Sequence, residues 1–199
     1  MRISRETVIA VINYGAGNLR SISKAIEKIG KKVIITNDPE VVQSADAIIL
    51  PGVGAFETAM KNLEWFIPFL KDTKTPVLGI CLGMQLFATI SEEGGLHRGL
   101  DIIPGRVVRF PQSVRKIPHM GWNEVDFEDH YLFERIENRF FYFVHSYYFD
   151  TKDYVIAYTD YGVRFPSAVA KDNYIGVQFH PEKSGKNGLK LLENFVENI

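Results

Sequence analysis

Pro76-Val77-Leu78-Gly79-Ile80-Cys81-Leu82-Gly83-Met84-Gln85-Leu86-Phe87-Ala88-Thr89-Ile90 is the stretch on which the fold is decided. It opens as an apolar run of strand length and continues as a helical stretch. Between the two lies Gly79-Ile80-Cys81-Leu82-Gly83, the spacing of a strand-to-helix elbow with a nucleophile at its tip. Small residues on either side let the chain pass close to itself, which pushes the central side chain out at the top of a sheet. Cys81 is the only cysteine in the chain. A lone cysteine is commonly a small buried hydrophobe, but paired glycines in a strand–helix setting favour the nucleophile.

On the N-terminal side the pattern is strand and helix in alternation. Val8-Ile9-Ala10-Val11-Ile12 is a continuous apolar run, as in a strand covered on both faces. The turn Asn13-Tyr14-Gly15-Ala16-Gly17-Asn18 follows, with Asn18 as the expected N-cap of a helix. Leu19, Ile22, Ile26 and Ile29 share one face of that helix, and Gly30 stops it. Val33-Ile34-Ile35 and Ala47-Ile48-Ile49-Leu50 read as strands, separated by a short helix that opens at Asp38-Pro39-Glu40. Pro51-Gly52-Val53-Gly54 is a glycine-rich loop, and a helical stretch over 56–71 is expected to break near Pro68. This alternation predicts an α/β fold with a parallel sheet between helices.

Beyond residue 90 the texture changes. Residues 103–111, 122–127, 139–144, 154–159, 163–170 and 174–179 are short aromatic or β-branched runs between turn residues, expected to be antiparallel strands, some of which extend the sheet. Gly185 to Ile199 carries Leu189, Leu192, Phe195 and Ile199 on one helical face and should dock on the core. No linker, repeat or low-complexity tract divides the chain, so residues 1–199 are read as a single domain.

Composition narrows the function. Hydrophobic residues make up 46% and aromatic ones 13%, enough for a sizeable core, and the net charge of −1 suggests neither nucleic acid nor an anionic membrane as partner. One cysteine excludes an internal disulfide and a cysteine-based metal cage. No apolar run reaches the roughly 18 residues of a spanning helix. Met1 to Glu6 holds two arginines but leads into a strand rather than a signal-type core. The expectation is a cytoplasmic protein. Gly15 and Gly17 after the first strand invite a dinucleotide reading, with Asp38 as the ribose acid. Arg20 stands where that fingerprint needs its third small residue, which argues against it.

A cysteine nucleophile needs a base, and the base needs an orienter. Of five histidines, His180 is the best placed: it follows the run Tyr174–Phe179, at the sheet edge where open parallel sheets set their sites. Pro181 restricts the chain there, and Glu182 can turn back to the imidazole, fix its tautomer and stabilise the imidazolium. His119 and His145 could belong to the core or to a site. An acyl-transfer site also needs an oxyanion hole. The Leu82 amide and the Gly52-Val53-Gly54 segment are the natural donors.

Gly79-Ile80-Cys81-Leu82-Gly83-Met84-Gln85 together with His180-Pro181-Glu182 resembles the class I (triad) glutamine amidotransferases. Asn13–Ser21, Pro118-His119-Met120-Gly121-Trp122-Asn123 and His180–Ser184 make the chain similar to the glutaminase subunits of imidazole glycerol phosphate synthases. The resemblance spans essentially the whole chain and implies a flavodoxin-like fold. It implies that Cys81 attacks the side-chain amide of L-glutamine, that His180 and Glu182 complete the triad, and that no cofactor takes part. Gln85, Glu93, Ser146 and Tyr147 match positions that hold the α-amino and carboxylate ends of glutamine. Trp122, Tyr142 and Lys183 match positions facing a (β/α)8 cyclase subunit, which would receive the ammonia and convert the nucleotide intermediate PRFAR to imidazole glycerol phosphate and AICAR. Such glutaminases stay near-silent until the cyclase ligand binds, and a reorienting Val53 amide would supply a physical cause. Other readings are a glutaminase for a different synthase, a stand-alone amide hydrolase, or a non-catalytic interaction module.

Overall fold

The computed structural model describes residues 6–114 and 116–199. The arginine-bearing leader thus falls, apart from Glu6, outside the described residues.

Four strands open the chain: β1 (Val8–Ile12), β2 (Lys32–Thr36), β3 (Ala47–Leu50) and β4 (Val77–Ile80). The helices α1 (Leu19–Lys28), α2 (Pro39–Ser44), α3 (Phe56–Asn62) and α4 (Ile67–Asp72) lie between them. A single helical turn, α5 (Leu82–Gln85), follows β4. The short strands β5 (Ile90–Ser91), β6 (His97–Arg98), β7 (Arg106–Arg109), β8 (His119–Glu124) and β9 (Asp126–Phe127) come next. They are succeeded by β10 (Phe140–His145), β11 (Tyr147–Asp150), β12 (Val155–Asp160), β13 (Arg164–Lys171), β14 (Tyr174–Val177) and the C-terminal helix α6 (Gly185–Glu197).

The main sheet has the order β2-β1-β3-β4-β14-β13-β12-β9. The first five strands are parallel, and their order is that of a flavodoxin-like sheet, with β14 as fifth strand. The remainder is added antiparallel. Along β1, Ile9 and Val11 pack with Ile22 and Ile26 of α1 and Leu191 and Phe195 of α6. Ala10 and Ile12 face the other way, toward Phe56, Leu63 and Leu70. An unbroken apolar strand is required because each face meets a helix layer, and each fully buried aliphatic side chain contributes about 1.5–3 kcal/mol.

Several expectations are corrected. The helix over 56–71 breaks at Leu63–Phe66, in a 3₁₀ turn over Glu64–Phe66, and not at Pro68. Pro68 sits in the first turn of α4, where its missing N–H costs nothing. The helix after the elbow lasts one turn, because the carbonyls of Leu86, Phe87 and Ala88 accept from the amides of residues 100–103. Strands β5, β6 and β11, at two to four residues, carried no pattern of their own; with β7 they form a separate sheet of order β11-β7-β5-β6. On α6, Leu192 and Phe195 are buried as expected, but Ile199 lies past the helix end and is exposed. No helix among the described residues is long and apolar enough to cross a membrane.

Candidate functional site

The elbow is built by two close approaches. A Cβ at Gly79 would stand 2.6 Å from the backbone of Gly83, and one at Gly83 would overlap the Leu50 carbonyl of β3. With both positions bare, β4 can turn at once into α5 beside β3. Cys81 at the apex has φ 52° and ψ −102°, a conformation rare for a side-chain-bearing residue. Its amide donates to Val177 O of β14 at 2.7 Å, which ties the strained turn to the sheet.

His180 comes three residues after the end of β14, slightly farther than the sequence suggests. Its N–H donates to Tyr142 O at 2.8 Å, and its carbonyl accepts from Ser184 Oγ at 2.6 Å. The 3₁₀ turn Pro181–Lys183 then folds Glu182 back, so that its Oε1 lies 2.8 Å from His180 Nδ1, with both side chains almost fully buried. The same Oε1 accepts from Asn18 Nδ2. Asn18 does stand at the N-cap position of α1, but with φ 75° and no side-chain cap; its side chain is turned to Glu182 instead. His180 Nε2 is buried without a conventional partner. Burial opposes a charged ring, yet the negative charge and hydrogen bonding of Cys81, followed by Glu182, outweigh it and raise His180 to about 10. The arrangement is a cysteine sulfur, an imidazole poised to hold its proton, and a carboxylate that fixes the ring.

Cys81 opens into a cavity of about 240 Å³ lined by Val53, Gly54, Leu82, Gln85, Glu93 and the segment Val144–Tyr147. Pockets for drug-sized ligands start at roughly 300 Å³, so this one suits a smaller molecule. All four residues implied to clamp an amino acid, Gln85, Glu93, Ser146 and Tyr147, line it together. Gln85 is less free than its implied role requires: its Nε2 donates to Tyr147 O at 2.9 Å and Gln178 Oε1 at 3.1 Å, which leaves its carbonyl oxygen for any ligand. One Glu93 oxygen accepts from Phe56 N at 3.0 Å.

The three carbonyls of the 51–53 loop are held by two segments, the 13–18 turn and the elbow. Pro51 O accepts from Tyr14 Oη, Gly52 O from Leu82 N at 3.4 Å, and Val53 O from Gly17 N at 3.3 Å. In this state a carbonyl, not an amide, of the loop faces the Leu82 N–H. Burial, and then the charge of Cys81, raise the Tyr14 phenol well above its ordinary value, so it remains a donor to Pro51.

Trp122, Tyr142 and Lys183 form one cluster outside the pocket. Trp122 of β8 and Tyr142 of β10 are cross-strand partners, with ring centroids 6.1 Å apart. Lys183 Nζ lies 5.9 Å from the Tyr142 ring, and Trp122 is 56% exposed. No motif singles out Gln178, whose Nε2 lies 3.4 Å from Cys81 Sγ. His119 and His145, which by sequence suit either core or site, are paired, with His145 in the pocket wall. Only the hydrophobic context of Gln178 at the end of β14 hinted at an inward amide.

A family model for class-I glutamine amidotransferases matches residues 10–199. The chain is 57% identical over 195 residues to the imidazole glycerol phosphate synthase subunit HisH of Archaeoglobus fulgidus, covering 96% of this chain and 99% of that protein. It is 52% identical to the HisH subunit of Methanothermobacter thermautotrophicus, with coverage of 96% and 99%. Among solved structures, PurLQS from Thermotoga maritima superposes with a TM-score of 0.73 at 15% identity, over 98% of this chain and 99% of that one. A glutamine amidotransferase from the same organism does so with 0.67 at 16% identity, over 98% and 82%. At such identities the structures speak for the fold alone, whereas the family model and the sequence relatives carry the assignment. The chain belongs to the class-I glutamine amidotransferases, in the branch of the HisH subunits of imidazole glycerol phosphate synthase.

Proposed function

We propose that the protein is the glutaminase subunit of an imidazole glycerol phosphate synthase. It hydrolyses L-glutamine to glutamate and ammonia and passes the ammonia to a (β/α)8 cyclase subunit. There ammonia and PRFAR yield imidazole glycerol phosphate and AICAR in histidine biosynthesis. The observation that carries the reading is the buried Glu182–His180 pair acting on Cys81, in the wall of a small pocket shared by Glu93, Ser146 and Tyr147.

Cys81 Sγ attacks the side-chain amide carbon, and His180, having taken the thiol proton, delivers it to the leaving nitrogen as ammonia departs. A γ-glutamyl thioester remains on Cys81. Water, deprotonated by the now neutral His180, attacks the thioester, and glutamate leaves as the thiol is regenerated. Glu182 holds the imidazole in one tautomer throughout. Glu93, Ser146 and Tyr147 engage the amino-acid end, and binding energy from that remote end positions the amide for attack. The tetrahedral oxyanion calls for the Leu82 N–H and an amide of the 52–54 loop, with Val53 the candidate. Gly52 O must first leave Leu82 N, which makes the present loop a resting state.

Free ammonia is mostly protonated in neutral water and is then no nucleophile, so a protected route to the partner has a chemical purpose. Trp122, Tyr142 and Lys183 are the proposed face toward the cyclase. The main sheet, which runs from β2 through β4 and β14 to β9, supports reading the chain as one domain; Trp122 and Tyr142 stand on the separate β10-β8 pair, which the His180 N–H joins through Tyr142 O. The test is glutamate release by the protein alone, with the cyclase subunit, and with its nucleotide ligand added. Strong stimulation by the last two, abolished by Cys81→Ser while ammonia-driven cyclase turnover persists, is expected. Equal turnover without the partner would instead point to a stand-alone amidase.

A further inference from the structure

A directed chain of hydrogen bonds enters the pocket wall from strand β8. His145 Nδ1 lies 2.7 Å from Tyr147 O, and a carbonyl only accepts, so Nδ1 carries the proton and Nε2 is bare. His145 Nε2 lies 3.0 Å from His119 Nδ1, which must therefore be the donor. His119 Nε2 is left as an acceptor, 3.2 Å from Asn123 Nδ2. Asn123 is itself anchored: Nδ2 donates to Asp160 O at 3.0 Å, and Oδ1 accepts from Glu124 N at 2.8 Å. Every link agrees with two neutral imidazoles, each protonated at Nδ1.

The surroundings enforce that state. His119 is sandwiched between Phe143 and Tyr161, with centroids at 4.6 and 3.9 Å, and Phe110 packs against both the His119 and His145 imidazoles. Burial lowers His119 to about 4; burial, only partly offset by the bond to Tyr147, lowers His145 to about 3. Phenylalanine would fill this aromatic cage without desolvating two imidazoles. What phenylalanine lacks is a donor for Tyr147 O. That carbonyl is held from two sides, by His145 Nδ1 and by Gln85 Nε2 of the elbow turn.

We propose that Asn123, His119 and His145 form a positioning chain that fixes the Tyr147 carbonyl, and with it the 145–147 wall of the pocket, to strand β8. Alternation along β8 turns His119 and Asn123 to this chain and the exposed Met120 and Trp122 to the opposite face. The strand thus links the proposed partner face to the proposed glutamine clamp. The inference rests on reading that pocket as the glutamine site.

The test uses the complex with the cyclase subunit. His119→Phe and His145→Phe should each raise the glutamine KM about tenfold, the loss of one positioning hydrogen bond, with kcat changed less than about threefold. Ammonia-driven turnover should be untouched. His145→Asn keeps a donor at the δ position and should restore most of the KM. An unchanged KM in both phenylalanine variants, or no repair by His145→Asn, overturns the proposal. Should a variant fail to fold, ¹⁵N spectra of the unmodified protein decide: protonation of Nε2 in either neutral ring rules the chain out. A complex that does not hydrolyse glutamine defeats the functional reading, while the tautomers still report on the chain.

Discussion

Asn18 donates its side-chain amide to the same Glu182 oxygen that lies 2.8 Å from His180 Nδ1, although 164 residues separate the two. The other Glu182 oxygen is buried without a partner. Asn18 therefore selects which oxygen orients the imidazole. Asn18→Ala should lower kcat for glutamine about tenfold, the scale of one hydrogen bond to a charged group. Asn18→Asp should lower it further, since it sets a second carboxylate against Glu182. Glutaminase assays of the complex check both, and equal activity of the two variants would refute the orienting role.

Gly83→Ala should destabilise the fold more than an ordinary surface change, because its new methyl would meet the Leu50 carbonyl, a backbone group that cannot swing aside. Overpacking of this kind costs about 1–3 kcal/mol, or a Tm loss of roughly 2–10 °C for a chain this long. Thermal unfolding measures it.

Val53→Pro removes the candidate oxyanion amide and leaves the Val53 carbonyl free to bond Gly17. Loss of one oxyanion donor costs on the order of 10²–10³ in rate. Stimulated glutamine hydrolysis should fall by that factor, while ammonia-driven cyclase turnover stays constant. Retention of full stimulation would assign the donor to another amide of the loop.

Stability should peak near neutral pH for two opposing reasons. His119 and His145 are held neutral by burial, with folded values of about 4 and 3. Between these values and the unfolded value of about 6.5, the unfolded chain binds protons that the folded one refuses, so stability falls as the pH drops through that window. For His180 burial alone would act the same way, but Cys81 and Glu182 raise it to about 10. Its contribution is complete below about 6.5 and is lost as the pH rises toward the folded value. Tm measured across pH should show both limbs, and Cys81→Ala, which removes the leading charge partner, should flatten the alkaline one.

The proposed triad was legible because its signals are local in sequence. Cys81 is marked by its two glycines, and His180 and Glu182 stand two residues apart with a proline between them. The parallel half of the sheet was legible for a similar reason, since doubly covered strands must be apolar throughout. Asn18, Gln178 and the His119–His145 pair were not. Their roles arise from cross-strand register, as in the pairing of His145 with His119 between β10 and β8, or from a loop crossing the sheet edge. No spacing along the chain encodes such meetings. The one-turn length of α5 was hidden likewise, because the amides that end it come from residues 100–103.

Cys81 is the sole thiol of the chain and lines the pocket directly. A thiol-directed reagent therefore has one sulfur to find, with no background from any other. One equivalent of label counts competent sites, and a molecule that fills the pocket should slow labelling in proportion to its occupancy. Ligand affinity can thus be read by mass spectrometry on the unaltered protein, before any partner is added and without turnover.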